Sequence, residues 1–247
     1  THAGHKPRER PTATMRILLL LLQLVVLPVR AQSTVTVAVA TNFRPLLEQL
    51  NPRFEAETGY SVILSSGATG VLYHQILSGA PYDVLLAADQ RTPANLAGEY
   101  ETTSDHLRCY ARGRLVLVGG QLPQLANPGL SVAIANPATA PYGVAAMAVL
   151  AREAFSAGVD RKLVRGANAM QAYQFWHTGG VNLALVPLSL AGADGRKIPS
   201  DWHPPIDQYA LLLPRGLNNP AAQGYFDWLA SAGVQAQIAA AGYDPCP

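Results

Sequence analysis

The sequence predicts an α/β fold in which mostly parallel strands are joined by crossover helices, and three observations carry that prediction. Short β-branched runs alternate with helical patterns along the chain, the arrangement that builds parallel sheets. Apolar residues make up 49% of the 247 residues and charged ones only 14%, enough to fill the core of one large domain or two modest lobes. Four times, a strand passes into a helix through a cluster of small polar residues.

TVTVAVA, from Thr34, reads as the first strand. It is followed at once by a helix in which Thr41 and Asn42 stand at N-cap positions and Pro45 suits the first turn. Leu46, Leu47, Leu50 and Phe54 recur on one face, and Gly59 ends it. SVILSS is a second strand, GATG a loop, VLYHQILSG a short helix and DVLLAAD a third strand. ETTSDHLRCYARG reads as irregular, and RLVLVGG after it as a strand. SVAIANPATAPYGVAAMAVLAREAFSAG repeats the strand, loop and helix theme. KLVRGA, a helix from about Asn168 to His177 and the strand VNLALVPL continue it. AGADGRKIPSDWHPP is Pro- and Gly-rich and reads as a connecting loop. YALLLPRG is a late strand, and the tail holds two amphipathic helices.

The four junctions are Ala40–Asn42, Gly67–Gly70, Asn136–Gly143 and Gly166–Met170. Each helix start leaves backbone N–H groups unpaired at the positive end of a dipole. In open α/β sheets such junctions align along the carboxyl edge of the strands, where ligands bind. An anion held there needs no Lys or Arg, and none stands in or close to the Gly67–Gly70 loop in sequence. Taken singly, each junction reads as ordinary capping before ligation. Tyr142, between Pro141 and Gly143, is either a donor into the same space or a half-buried ring whose hydroxyl meets water.

From Met15 the chain reads MRILLLLLQLVVLPVRAQ, a basic residue, an apolar run and small residues at Val29 and Ala31. That is the pattern of a cleavable leader over residues 1–31, since the run is shorter than the roughly 20 residues a membrane span needs. Without it, 13 basic and 15 acidic residues remain, so the net charge changes from +2 to −2. A near-neutral exported protein is a poor candidate for nucleic acid, which selects clustered Lys and Arg. No cysteine lies near the cut for lipid attachment. Cys109 and Cys246 pair as a disulfide in an oxidising compartment, or remain two thiols. GxSxG, HExxH and CxxC motifs are absent, and His74, His106, His177 and His203 lack ligand spacing. No metal-ligand set or cofactor motif is evident, so neither is expected.

ATNF, SSGATGVLYHQILSGAPYDVLLAAD, LVLV, NPATAPYGVAA, GANAMQAYQFWHTGGVNLALVPLS and AAGY, in this order, resemble the periplasmic molybdate-binding proteins of ABC importers, within the type II periplasmic substrate-binding proteins. The resemblance implies a two-lobed fold, each lobe a mostly parallel sheet flanked by helices, with the ligand in the cleft between them. Lobe one would comprise residues 32–113 and 210–247, and lobe two residues 114–209. It implies a monomeric periplasmic receptor that captures molybdate or tungstate and hands it to a membrane permease, without turnover or cofactor. Matched residue by residue, the oxyanion would meet Thr41, Asn42, Thr69, Tyr142 and the N–H of Met170, with Ala68, Ser66 and Ala169 as further candidates. Thr69 stands where the family usually has Ser. Tyr142 matches the phenol of one branch, whereas the tyrosine position of another branch is occupied here by Pro187-Leu188-Ser189.

The donor-only character of these groups suits an unprotonated dianion, in which every oxygen is an acceptor. A receptor for another oxyanion such as sulfate has the same chemistry. A secreted hydrolase using Ser66 or Thr69 with His74 is the reading from a different class.

Overall fold

The computed structural model describes residues 1–2 and 33–247. The leader expected over residues 1–31 lies outside the described residues, apart from the first two positions. Residues Ser33–Pro247 fold into one compact unit containing two five-stranded mixed sheets.

In the first sheet the order is β2 (Ser61–Gly67), β1 (Thr34–Ala40), β3 (Val84–Ala87), β10 (Ile206–Leu212) and β4 (Leu107–Gly113). β1 pairs in parallel with β2 and β3, while β10 is antiparallel to both of its neighbours. The second sheet has the order β7 (Leu163–Gly166), β6 (Val132–Ala135), β8 (Leu183–Pro187), β5 (Leu115–Val118) and β9 (Arg196–Lys197). Here β6 is parallel to β7 and β8, and β5 is antiparallel to β8 and β9. The two sheets therefore repeat one plan. A parallel trio is extended by an antiparallel strand that arrives from the other half of the chain. Central strands such as β3, β5 and β6 are buried along their whole length, which is why they read as unbroken Val, Leu, Ile and Ala runs.

The helices are α1 (Arg44–Thr58), α2 (Thr69–Leu77), α3 (Arg91–Glu99), α4 (Pro141–Leu150), α5 (Ala169–His177), the single turn α6 (Leu188–Ala191), α7 (Pro220–Leu229) and α8 (Ala232–Ala240). α1 buries the expected Leu46, Leu47, Leu50 and Phe54. That stripe packs with Tyr225 and Phe226 of α7 over the first sheet. Phe54 meets Tyr225 edge-on at 5.0 Å, and Phe43 meets Tyr110 at 4.7 Å. Such pairs contribute about 0.5–1.5 kcal/mol each beyond their burial.

The structure departs from the sequence expectations in three places. The stretch read as irregular contains β4, because β10 supplies its ladder from about a hundred residues later. α3 occupies a segment to which the sequence patterns assigned no element. β10 starts at Ile206 and lies in the first sheet throughout, so the expected lobe boundary at 209/210 falls inside a strand. A single residue, Arg114, separates β4 in the first sheet from β5 in the second.

Cys109 and Cys246 are bonded. The disulfide fixes the C-terminal tail to β4, where Arg112 and Asp244 also exchange both backbone hydrogen bonds. Asp244 forms an ion pair with Arg114 at the crossing between the sheets.

Candidate functional site

The four strand-to-helix junctions meet. β1 ends in the turn Thr41–Phe43, β2 in Ala68, β6 in the loop 136–140 and β7 in residues 167–168; α1, α2, α4 and α5 start from these points. Between them lies a small chamber of about 10 Å³ lined by Ala40, Thr41, Asn42, Gly67, Ala68, Thr69, Ala88, Ala140, Pro141, Tyr142 and Ala169. Of the residues expected from sequence, Thr41, Asn42, Thr69, Tyr142, Ala68 and Ala169 share this space, each no more than 8% exposed. Met170 and Ser66 do not line it. They line a wider cleft, about 430 Å³, together with Thr41, Arg44, Pro45, Glu48, Asn168, Gln171 and Gln174. Thr41 is the one residue that lines both spaces.

The junctions are not all capped as expected. Thr41 and Asn42 are not the N-cap of α1; that position is Phe43, and no side chain caps it. Ala68 and Ala140 start α2 and α4 without a side-chain cap, whereas Asn168 caps α5 by accepting from Gln171 N–H. The N–H groups of Asn42, Ala68, Thr69, Tyr142, Ala169 and Met170 consequently make no hydrogen bond among the described residues. Buried N–H groups are rarely left without an acceptor, and here all of these but that of Met170 belong to residues lining one chamber.

The hydroxyls are wired to add to these donors. Thr69 Oγ1 accepts from Ala88 N–H at 3.0 Å, which leaves its proton free. Tyr142 Oη accepts from Gln208 Nε2 at 3.2 Å, with the same result. Burial pushes the Tyr142 ionisation well above its ordinary value, so the phenol is a neutral donor at neutral pH. Its tip sits against Gly113, where a Cβ would overlap Tyr142 Oη and come within 2.8 Å of Gln208 Nε2; only hydrogen fits. The Asn42 side chain is directed elsewhere. Its Nδ2 donates to Gln208 Oε1 and to Tyr243 Oη, so Asn42 offers its backbone N–H to the chamber.

No charged side chain lines the chamber among the described residues. No basic residue is near the Gly67–Gly70 loop in sequence, but the fold brings one close to it. Arg44, on the first turn of α1, donates from Nη1 to Ser66 Oγ at 3.0 Å and pairs with Glu48 at 2.7 Å. Helix geometry brings it there across 22 positions of sequence.

Elements of the two sheets touch around the chamber. Gly70 N–H donates to Thr139 O at 2.9 Å, and Ser189 Oγ donates to Asn42 O at 3.2 Å. Ser189, at the position where a tyrosine was the alternative, also meets Tyr243 Oη at 2.9 Å. Sequence reasoning did not single out Gln208, Tyr243, Gly113 or Thr139 for the site. The AAGY tail carried a signal for Tyr243, but a glutamine in a strand carried none.

The hydrolase constellation is not assembled. Ser66 Oγ is engaged by Arg44, Thr69 Oγ1 by Ala88, and His74 makes no side-chain hydrogen bond to either among the described residues. Chemically, the chamber gathers neutral N–H and O–H donors at the positive ends of helices, an arrangement that holds a small anion.

The chain is 41% identical over 224 residues to the molybdate-binding protein ModA of Azotobacter vinelandii, covering 85% of this chain and 89% of that one. It is 34% identical to ModA of Rhodobacter capsulatus, covering 81% and 83%. Among solved structures, the periplasmic molybdate-binding protein of Azotobacter vinelandii superimposes with a TM-score of 0.80 at 31% identity, covering 86% of this chain and all of that one. The two mixed sheets flanked by helices are thus the periplasmic-binding-protein fold. Residues 35–244 match the model of the bacterial extracellular solute-binding proteins, and the chain belongs to that family.

Proposed function

We propose that this protein is the extracytoplasmic receptor of an ABC importer, that it captures molybdate or tungstate in the chamber between the two sheets, and that it delivers the ion to a membrane permease. The observation that carries the reading is the convergence of unpaired N–H groups and proton-directing hydroxyls, with no carboxylate among them. Molybdate, tungstate and sulfate are unprotonated at neutral pH and ask only for donors; phosphate retains a proton and asks for an acceptor. The names of the relatives favour the larger oxyanions over sulfate.

In this reading the first and second sheets are the cores of two lobes. They swing about Arg114 and the segment between Lys197 and Ile206, and the Gly70–Thr139 and Ser189–Asn42 contacts form as they shut. Thr41, Thr69 and Tyr142 donate hydroxyl protons, and Asn42, Ala68 and Ala169 donate backbone N–H groups, joined by that of Met170 only if α5 shifts toward the chamber as the lobes shut. The protein works as a monomer in the periplasm, reached through its leader, and needs neither cofactor nor catalytic step.

The test is thermal unfolding against anion concentration. A ligand at about 100 times its dissociation constant adds roughly 2.7 kcal/mol to stability. Molybdate or tungstate raising the transition at micromolar concentration, with sulfate and phosphate acting only at far higher concentration, supports the reading. A shift with sulfate alone would move the assignment to that ion.

A further inference from the structure

Gln208 is fully buried in β10 of the first sheet, yet its side chain reaches Tyr142 on α4, which packs with the second. Its Oε1 accepts from Asn42 Nδ2 at 3.0 Å and from Tyr110 Oη at 2.9 Å, and its Nε2 donates to Tyr142 Oη at 3.2 Å. One amide thus joins three groups around the chamber. We infer that Gln208 is a specificity-determining positioning residue: by donating to Tyr142 Oη it turns the phenol proton into the chamber and selects oxyanions that carry no proton of their own. The inference rests on the oxyanion reading above.

The argument concerns the direction of a hydrogen-bond chain. Tyr142 has one proton. While Gln208 Nε2 occupies a lone pair of the phenol oxygen, that proton is free for an acceptor in the chamber. If the Gln208 amide were reversed, its Oε1 would take the Tyr142 proton, and the phenol oxygen would present a lone pair to the ligand. That arrangement repels an oxygen of a bare dianion but accepts the O–H of hydrogen phosphate. The reversal has a cost at the other end of the chain, because Nε2 would then face Asn42 Nδ2, donor against donor. Asn42 is itself held by Tyr243, whose Oη accepts from Asn42 Nδ2 at 3.1 Å and lies 2.9 Å from Asn42 O. The polarity of Tyr142 is therefore set three side chains away, at Tyr243. A buried network of this kind has few alternative states, because each unpaired member is costly.

Gln208→Glu tests this directly. A carboxylate has nearly the shape of the amide but cannot donate, so Tyr142 is left to give its proton to the introduced carboxylate and to face the chamber as an acceptor. The comparison is made at about pH 8, above the second ionisation of phosphate, where molybdate, sulfate and hydrogen phosphate all carry two negative charges. Repulsion from the added negative charge then weakens all three alike and cancels in their ratios. By calorimetry with the sodium salts, the preference for molybdate over phosphate and that for sulfate over phosphate are each expected to fall by about tenfold or more, the effect of one charge-assisted hydrogen bond. Sulfate controls for size. Ratios unchanged from the wild-type protein, with all affinities lowered together, would overturn the inference.

Should the glutamate variant not fold, Gln208→Met removes the donation without adding charge. It leaves the phenol proton undirected but not taken, so molybdate affinity is expected to fall by about two- to fivefold in the wild-type background and hardly at all alongside Tyr142→Phe, whereas a purely packing role would leave the two penalties additive. Simple additivity refutes the coupling. A wild-type protein that binds none of the three anions would instead remove the oxyanion reading itself.

Discussion

Gly70→Ala separates ligand capture from folding. Gly70 lies in the first turn of α2 and donates its N–H to Thr139 O at 2.9 Å, across the space between elements of the two sheets. A Cβ placed there would stand 3.2 Å from Thr139 Cα and 3.3 Å from Thr139 O. Carbon contacts prefer about 3.5–4.0 Å, and both opposing atoms belong to backbone that cannot rotate aside. The two elements must part by a few tenths of an ångström, and the hydrogen bond stretches. Its loss costs about 0.5–1.5 kcal/mol, felt only in the shut form. Within the helix, the same substitution is favourable by up to about 1 kcal/mol, because alanine loses less backbone entropy than glycine. The expected outcome is a fall in molybdate affinity of about two- to tenfold, read by calorimetry, with the ligand-free melting temperature unchanged or slightly raised. Wild-type affinity in this variant would refute the claim that closure brings Gly70 against Thr139. A parallel loss of affinity and ligand-free stability would show that the contact belongs to the fold and not to capture.

Tyr142→Phe removes a donor from the chamber while keeping the ring, and is expected to weaken molybdate binding by about 1–3 kcal/mol; an unchanged dissociation constant would take Tyr142 out of the site. Replacing both Cys109 and Cys246 by serine opens a closure spanning 137 residues of sequence. The chain-entropy model gives a loss of about 5 kcal/mol for such a loop, measurable by urea unfolding. Burial raises the ionisation of Tyr110, Tyr142, Tyr225 and Tyr243 above the ordinary phenol value. The folded protein therefore keeps protons that the unfolded chain releases near about pH 10, so this contribution to stability is intact below that pH and is lost as pH climbs above it. Binding at constant ionic strength should accordingly be flat between about pH 7 and 9, and denaturation midpoints should fall only beyond about pH 10.

Much of this molecule is legible in its sequence because the relevant signals are local. The stripe of Leu46, Leu47, Leu50 and Phe54 announces α1 by spacing alone, and it is buried as that spacing requires. The small polar residues at the four junctions announce helix starts, and they place donors where a parallel sheet gathers them. Tyr142 could be noticed because an aromatic beside Pro141 and Gly143 has little local reason to be there.

What the sequence by itself determined was thus the alternation of elements and the identity of the groups at their junctions. The tertiary structure alone decided which of those groups share a chamber and which way their protons point. β4 escaped notice because its hydrogen bonds are supplied by β10, far along the chain, and its own residues are half polar. Arg44 reaches Ser66 only because α1 lies against β2. Gln208 falls just before the strand the sequence predicts and carries no local signal; in the fold it lies within β10 and is enclosed by Tyr142, Asn42 and Tyr110. The direction of a hydrogen bond depends on the partner at its other end. That partner is brought by the packing of distant segments, which local residue patterns do not encode.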